Sequence, residues 1–213
     1  MAIHRPCLFL LTPFAGGPKA RAPAIRPAFV GGAAVSEPTV MGKTRPAAAN
    51  VRPARIVLEA SDHSAAFDRL VDRVFGPGRF AKVSQRLREN NDAFTDLSFM
   101  ALDGTRLVGG VRLWPVRVGG QPAVFLGPVA VDPDFRSHGV GGDLIVHACE
   151  AARRLGHGVV VLVGDRTFFE PLGFQVVPRD RLSLPGPVDP GRTLWCELIP
   201  GACETLQGKV TVR

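Results

Sequence analysis

The chain has 213 residues, of which 46% are hydrophobic, and this is enough for one domain with a core and a tail. Its formal net charge is +7, but residues 1–50 hold six of the 26 basic residues and one of the 19 acidic ones, which leaves 20 basic and 18 acidic residues in the rest. This near-neutral body lacks the basic surface of a nucleic-acid-binding protein, so that class is not expected.

Residues 1–51 are rich in Ala, Pro, Gly and Arg and show no hydrophobic periodicity. Prolines recur along the segment and would interrupt any long helix, so it is predicted to be a disordered basic extension. Residues upstream of the true start codon and an organelle-targeting peptide are the alternatives, although the prolines disfavour the amphipathic helix that a targeting peptide needs. Residues 52–213 are predicted to form one domain.

The domain is predicted to begin with a short strand, ARIVLEA, followed by an amphipathic helix. Apolar residues between 67 and 74 recur at helical spacing, and Gly-Pro-Gly at 76–78 ends the helix. A second helix is expected at about residues 80–89. Three adjacent antiparallel strands then follow between about residues 97 and 131, and Asp103-Gly104 forms the first of the two turns that join them.

A glycine-rich turn connects the third of these strands to a helix predicted over about residues 141–155. The strand VVVLV (159–163), a helical turn near RTFFEPL, and the strands FQVV and RTLWCELI complete the domain. The resulting order is β-α-α-β-β-β-α-β-α-β-β. It predicts an α/β or α+β domain, in which helices flank a mixed and mostly antiparallel sheet.

The turn PDFRSHGVGGDL, at residues 133–144, is the strongest candidate for a binding site. A helix N-terminus exposes unpaired N–H groups and attracts anions. Gly139, Gly141 and Gly142 leave these N–H groups accessible, and Arg136 adds a positive charge. A pyrophosphate is therefore the predicted ligand, and a tight turn without a ligand is the alternative. A dinucleotide fold is not expected, because the last glycine of GxGxxG is missing.

These residues resemble the acetyl-coenzyme A-binding core of the GNAT superfamily of N-acetyltransferases. The family signature, Arg/Gln-x-x-Gly-x-Gly/Ala, is matched by RSHGVG at 136–141, between a GPVAV strand and an amphipathic helix. The similarity extends over roughly residues 52–200 and is greatest to the bacterial group often labelled YhbS-like predicted acetyltransferases. The resemblance implies a GNAT fold with splayed fourth and fifth strands.

The resemblance also implies that acetyl-coenzyme A (acetyl-CoA) is the co-substrate and that a small-molecule or peptide amine is the acceptor. The loop at 137–142 would hold the pyrophosphate, and the pantetheine arm would pair with residues 129–131, where an N–H of Val129 or Val131 would bind the oxyanion. Gly127-Pro128 suits a splay of this strand. The expected cofactor-binding residues are Val129, Ala130, Val131, Arg136, Ser137, His138, Gly139, Val140, Gly141, Gly142 and Phe169.

The chain departs from the family at the residue that protonates the leaving thiolate. Relatives often carry a tyrosine on the short helix after the next strand, whereas this chain has no tyrosine and has Phe168 and Phe169 there. A missing general acid slows a reaction by roughly 10²- to 10⁴-fold. The catalytic residues are therefore unknown, and the alternative function is a non-catalytic acyl-CoA-binding sensor or scaffold of the same fold.

The other titratable residues near the turn have structural explanations. Asp165 is expected to cap the short helix, Glu170 and His147 to lie in solvent on helices, and His138 to point outward. Among the early helices, Asp62, Asp68, Asp72 and Glu89 would either attract a cationic amine or form a solvated face. The acceptor is therefore left open.

Cysteine and histidine spacing gives no indication of a metal site. Cys7, Cys149, Cys196 and Cys203 form no CxxC, and the histidines form no HExxH. The cysteines indicate a reducing compartment, with Cys149 in the core. No apolar run reaches the about 18 to 20 residues of a membrane helix. We therefore expect a cytoplasmic protein that does not bind membranes, and a homodimer is considered because such folds often dimerise.

Overall fold

The computed structural model describes residues 54–212, and the extension predicted at 1–51 lies outside this range. The strands are β1 (Arg55–Leu58), β2 (Phe99–Asp103), β3 (Arg106–Val118), β4 (Gln121–Val131), β5 (Val159–Val163), β6 (Gln175–Val176), β7 (Leu182–Ser183), β8 (Thr193–Glu197) and β9 (Gly208–Val212). The helices are α1 (Ser61–Phe75), α2 (Val83–Arg86), α3 (Val140–Arg154) and α4 (Arg166–Phe169).

The strands form a mixed sheet in the order β1-β2-β3-β4-β5-β8-β6, with β9 pairing β3 and β7. All neighbours along this path are antiparallel except β4 and β5, which are parallel. The predicted mixed, mostly antiparallel sheet flanked by helices is therefore confirmed. At the predicted β2–β3 turn, Asp103 pairs with Arg106, and Gly104 has a φ of +61°, a conformation that glycine adopts without steric cost.

The two faces of the sheet carry different helices, because alternate side chains of a strand point in opposite directions. Val124 and Leu126 of β4 pack in the same core as α3, whereas Phe125 packs on the other face with Leu87, which directly follows α2. The helix α1 lies on that second face, where it contacts β3 and β4. The sheet thus separates α3 from α1 and α2.

Two adjacent glycines of β3 allow helices to approach the sheet closely on both faces. A Cβ at Gly109 would lie 3.3 Å from atoms of Val140 and Leu144 in α3. A Cβ at Gly110 would lie 2.6 Å from Phe67 of α1. The pair therefore sets how near α1 and α3 come to the strand that adjoins β4.

Two details differ from the sequence-based expectation. The helix expected at 80–89 is a 3-10 turn, Pro77–Ala81, followed by the single turn α2, because Lys82 between them has an extended backbone. The strands β7 and β9 were not predicted. In β9, buried Val210 stands between exposed Lys209 and Thr211, which is the period of two that indicates a strand.

Candidate functional site

The parallel strands β4 and β5 separate after a very short paired stretch. Their register includes only Val124 with Val160 and Phe125 with Val161, although β4 continues to Val131. Beyond Phe125 the two strands line a cleft with a volume of about 1050 Å³. The cleft passes from the face of the sheet that carries α3 to the face that carries α1 and α2, and it is the candidate site.

A bulge in β4 accompanies this separation. Val111 of β3 pairs with Val129 and Leu113 pairs with Leu126, so Arg112 alone stands opposite Gly127 and Pro128. Proline has no N–H for a ladder hydrogen bond, and glycine tolerates the irregular backbone. The indole N–H of Trp114 donates to the carbonyl oxygen of Gly127. The Gly-Pro pair thus lies at the point where β4 leaves β5.

The far end of β4 offers unpaired N–H groups to the cleft. The N–H of Asp132 donates to the carbonyl oxygen of Val108 on β3 at 2.8 Å. Because N–H directions alternate along a strand, the N–H of Ala130 also faces β3, and those of Val129 and Val131 face the open side. Val129 and Val131 line the cleft, whereas the side chain of Ala130 is buried in the core under α1.

The glycine-rich loop closes the α3 end of the cleft. Ser137 and Gly139 have φ angles of +68° and +80°, and α3 begins at Val140. Within residues 54–212, the backbone N–H groups of 137–142 donate to no protein acceptor. The exposed side chain of Arg136 likewise has no hydrogen-bond or ion-pair partner in the described chain. The loop therefore presents several donors and one positive charge to a ligand.

All residues of the loop at 136–142 except His138 line the cleft. They are Arg136, Ser137, Gly139, Val140, Gly141 and Gly142. His138, expected among the cofactor-binding residues, is exposed beside Phe135 and does not line the cleft. His147, expected to lie in solvent, is half-buried and packs edge-on against Phe99. Cys149 is buried in the core under α3. The two histidines and this thiol therefore lie away from the cleft surface.

Phe168 and Phe169 of α4 form the wall opposite β4. Their rings meet edge to face at 5.0 Å. Phe169 packs against Gly164 and Phe174, whereas Phe168 is 48% exposed. A Cβ at Gly141 would lie 3.5 Å from the para carbon of Phe168, so this ring reaches the glycine loop.

The carboxylates at this end are occupied by structural roles. Asp165 accepts a hydrogen bond from the N–H of Thr167 and so caps α4. Glu170 pairs with Arg166, and the hydrogen bond and charge of that guanidinium hold the pKa of the Glu170 carboxyl below its usual value. The expected capping role of Asp165 and the solvated helix position of Glu170 both match this geometry.

The α1–α2 end of the cleft is basic, which the sequence did not indicate. Arg79, Lys82, Arg86 and Arg88 line it. The acidic residues considered as an alternative do not line the cleft: Asp68 pairs with Arg112, Asp72 pairs with the lining residue Arg79, and Asp62 and Glu89 are also outside the lining. Burial is the larger cause and repulsion from Arg79 the smaller cause of a lowered pKa of about 10 for Arg88. Arg88 therefore remains a cation at neutral pH.

Residues 54–212 contain neither a side-chain cluster suited to a metal ion nor a helix suited to span a membrane. No group of three or more His, Cys, Asp or Glu side chains there is placed to hold a metal ion. No helix between residues 54 and 212 has the length and apolar character needed to cross a bilayer. The cleft instead suits an extended ligand along β4 with an anionic group at the α3 loop, and a second molecule that enters from the basic end.

The chain is similar in sequence to known acetyltransferases. Residues 65–174, just over half of the chain, match the Acetyltransferase (GNAT) family. The Escherichia coli K12 protein "Uncharacterized N-acetyltransferase YhbS" is 31% identical over 112 residues, which cover 51% of this chain and 66% of YhbS. "Uncharacterized N-acetyltransferase YjhQ" of the same organism is 30% identical over 113 residues, with 51% and 62% covered. The alignments thus span slightly less than two thirds of either relative.

Two solved structures share the fold. The crystal structure of the GNAT family N-acetyltransferase YhbS from Escherichia coli in complex with CoA has a TM-score of 0.66 at 25% identity and covers 81% of this chain and 94% of that one. A GNAT family acetyltransferase from Brucella melitensis in complex with acetyl-CoA has a TM-score of 0.55 at 22% identity, with 75% and 95% covered. The second similarity concerns the fold alone.

Proposed function

The chain belongs to the GNAT acetyltransferase family, and from this membership we propose that it transfers the acetyl group of acetyl-CoA to the nitrogen of an amine. The observation that carries the proposal is the glycine loop, where the N–H groups of 137–142 and the side chain of Arg136 lack protein partners. Unpaired donors at a helix N-terminus suit a pyrophosphate. The CoA and acetyl-CoA complexes of the two structural neighbours support the same assignment.

The separated strands suit the remainder of the co-substrate. The N–H groups of Val129 and Val131 face the open side of β4, where an extended amide-containing arm can pair as an additional strand. One of these N–H groups would also stabilise the negative charge that develops on the thioester oxygen. The family's usual binding mode therefore fits the residues present, with Val129, Val131 and the loop at 136–142 as the contacts.

Direct transfer then requires a neutral amine and a leaving thiolate. The amine nitrogen attacks the thioester carbon, the C–N bond forms, the C–S bond breaks, and the amine loses a proton as the CoA thiolate gains one. The carboxylates that line the cleft, Asp165 and Asp189, already accept backbone hydrogen bonds. Water is therefore the proposed proton carrier, and the nearby guanidinium groups favour the neutral form of the amine.

A second function rests on one observation. The chain contains no tyrosine, and Phe168 and Phe169 lie where a general acid is expected. A protein that binds acyl-CoA as a sensor or scaffold would not need that hydroxyl. The two functions differ in whether an amine is turned over, which the release of free CoA thiol measures directly.

Location and assembly are proposed from less specific features. Cys149 is a buried free cysteine, in agreement with a protein of a reducing compartment such as the cytoplasm. A homodimer stays a prediction, and sedimentation of the full chain would test it.

A calorimetric titration of acetyl-CoA into the full chain tests the proposal. We expect micromolar binding that Gly141→Glu abolishes, because the new carboxylate would lie among the unpaired N–H groups of the loop. Gly141→Ala is the matched control, since its Cβ would meet Phe168 and Val131 at 3.5 Å, an ordinary contact. Gly78→Glu adds the same charge where a Cβ has no neighbour within 4 Å, and it should bind normally.

Two results would count against the proposal. Binding by Gly141→Glu with the affinity of the wild type would remove the pyrophosphate from the loop. An absence of binding by the wild type would mean that the glycines form only a turn. If binding is found, a screen of amines for thiol release decides between turnover and the sensor function.

A further inference from the structure

Arg88 is a cation of the cleft that lacks a counter-ion. Its Nε is buried and has no hydrogen-bond partner, and none of residues 54–212 forms an ion pair with its guanidinium. The remaining basic residues nearby have protein contacts: Arg86 donates to the carbonyl oxygen of Pro185 at 2.8 Å, and Lys82 lies over the ring of Phe75. Among the arginines at this end, Arg88 is the one whose guanidinium forms no hydrogen bond or ion pair with residues 54–212.

The surroundings of Arg88 add positive charge rather than remove it. Arg79 repels Arg88, and its own ion pair with Asp72, at 2.7 Å, leaves the buried Nε of Arg79 without an acceptor. Burying a guanidinium without a partner is costly, and such donors normally find acceptors. The terminal N–H groups of Arg88, which have no acceptor among residues 54–212, therefore suit an anionic oxygen ligand, and Arg79 adds positive charge beside them.

The position of this site separates it from the pyrophosphate loop. Leu87, the neighbour of Arg88, packs with Phe125 on the face of the sheet opposite α3. The loop at 136–142 begins α3 on the other face, and the cleft passes between β4 and β5 from one to the other. An anion bound by Arg88 and Arg79 would therefore belong to a molecule that enters from the α1–α2 face, which is the acceptor.

We propose that the acceptor amine also carries a carboxylate, as an amino acid does, and that Arg88, assisted by Arg79, binds it. This inference rests on the proposed acetyl transfer. A planar guanidinium can bind both oxygens of a carboxylate at once. A carboxylate also offsets the repulsion that a simple ammonium would meet at this basic end, where Arg79, Lys82, Arg86 and Arg88 converge.

The test uses two matched conjugates, so that no knowledge of the natural side chain is needed. In both, a CH2–C(O) link joins the sulfur of CoA to the nitrogen of the amine. The amine is glycine in one conjugate and glycinamide in the other; glycinamide has nearly the same shape as glycine but lacks the charge of its carboxylate. Calorimetry with the full chain is expected to give a roughly tenfold or greater preference for the glycine conjugate, as charged hydrogen bonds in a partly buried site provide. Arg88→Gln should abolish the preference and leave the affinity for CoA itself unchanged.

Arg69→Gln is the control, because Arg69 is an exposed residue of α1 that does not line the cleft, and it should keep the preference. Arg88→Lys retains the positive charge but lacks the planar guanidinium, so it should keep only part of the preference for the glycine conjugate. Equal affinities of the two conjugates for the wild type would overturn the inference, as would a parallel loss of CoA affinity in Arg88→Gln. Failure of CoA itself to bind would instead remove the proposed function, and this inference with it.

Discussion

Single side chains along the cleft divide into those with protein partners and those without. Asp165 caps α4, and Arg86 donates a hydrogen bond to the carbonyl oxygen of Pro185. Arg136 at one end and Arg88 at the other have no such partners within the described residues. Buried charged groups are normally satisfied in folded proteins, and Arg136 adds an exposed charge beside the glycine loop, so we expect anionic groups to bind near these two arginines. The cleft therefore suits two ligands with negative charge at opposite ends.

Replacing Phe169 with tyrosine tests the missing general acid. The ring of Phe169 packs on Gly164 at the end of β5, where the strands separate, whereas the para carbon of Phe168 lies beside the glycine loop. A hydroxyl at 169 would thus be nearer the thioester and able to protonate the leaving thiolate. We expect Phe169→Tyr to raise kcat by roughly 10²-fold, the lower end of general acid catalysis. Release of CoA thiol with any amine that is turned over provides the measurement.

Phe168→Tyr is the matched control, because it adds the same hydroxyl to the more exposed ring near Gly141. It should leave kcat close to the wild-type value. An equal rise for both variants would show that the position of the hydroxyl is unimportant. An unchanged kcat for Phe169→Tyr would mean that water already protonates the thiolate fast enough.

Three elements meet at Asp132, the residue that follows β4. Its buried carboxylate accepts hydrogen bonds from Arg73 of α1 and Arg106 of β3, each at 2.9 Å, and from the N–H of Asp134. Burial alone would raise the pKa of this carboxyl, but the hydrogen bonds from Asp134 and Arg106 and the charges of Arg106 and Arg73 lower it overall. The interaction joins the cleft strand β4 to α1 and β3.

Because its pKa is lowered, the contribution of Asp132 to the free energy of unfolding depends on pH. A folded-state pKa below the unfolded value means that the stabilisation is complete above the unfolded pKa and is lost as pH falls through the folded one. We expect Asp132→Asn to lower the free energy of unfolding at pH 7 by about 1–2 kcal/mol. The variant should also lose less stability than the wild type between about pH 5 and pH 2. Urea unfolding at several pH values measures both effects.

Asp103→Asn is the control, since Asp103 is exposed and forms no ion pair among residues 54–212. It should match the wild type at neutral pH and follow its decline in acid. If Asp132→Asn showed the same acid-side loss as the wild type, the stabilising role of the carboxylate would be refuted. Equal stabilities of Asp132→Asn and the wild type at pH 7 would contradict the pKa argument.

The sequence predicted those features of the cleft that are caused by residues close together in the chain, and it missed those that depend on tertiary packing. The splay of β4 was predictable because Gly127-Pro128 itself prevents regular pairing, and the glycine loop because Gly139 and its neighbours precede an amphipathic helix. The basic end was not predictable. Arg88 becomes a cleft residue only because α2 packs across the sheet from α3, and no pattern within 80–89 indicates that packing. The family resemblance likewise predicted a cofactor site at the loop 136–142 and left the acceptor open.

The whole chain combines a near-neutral body with a basic segment at 1–51 that the sequence predicts to be disordered. Because exposed, unstructured residues are cut first, brief trypsin treatment tests this. Arg45 and Arg52 each precede a proline, where trypsin does not cut, and Arg55 lies in β1, so we expect a stable fragment that begins at Thr44. Its affinity for acetyl-CoA should equal that of the full chain, because the cleft is lined by residues 71–192. Resistance of Lys19, Arg21 and Lys43 to cleavage would show that the segment is ordered, and a weaker affinity of the fragment would show that it contributes to the site.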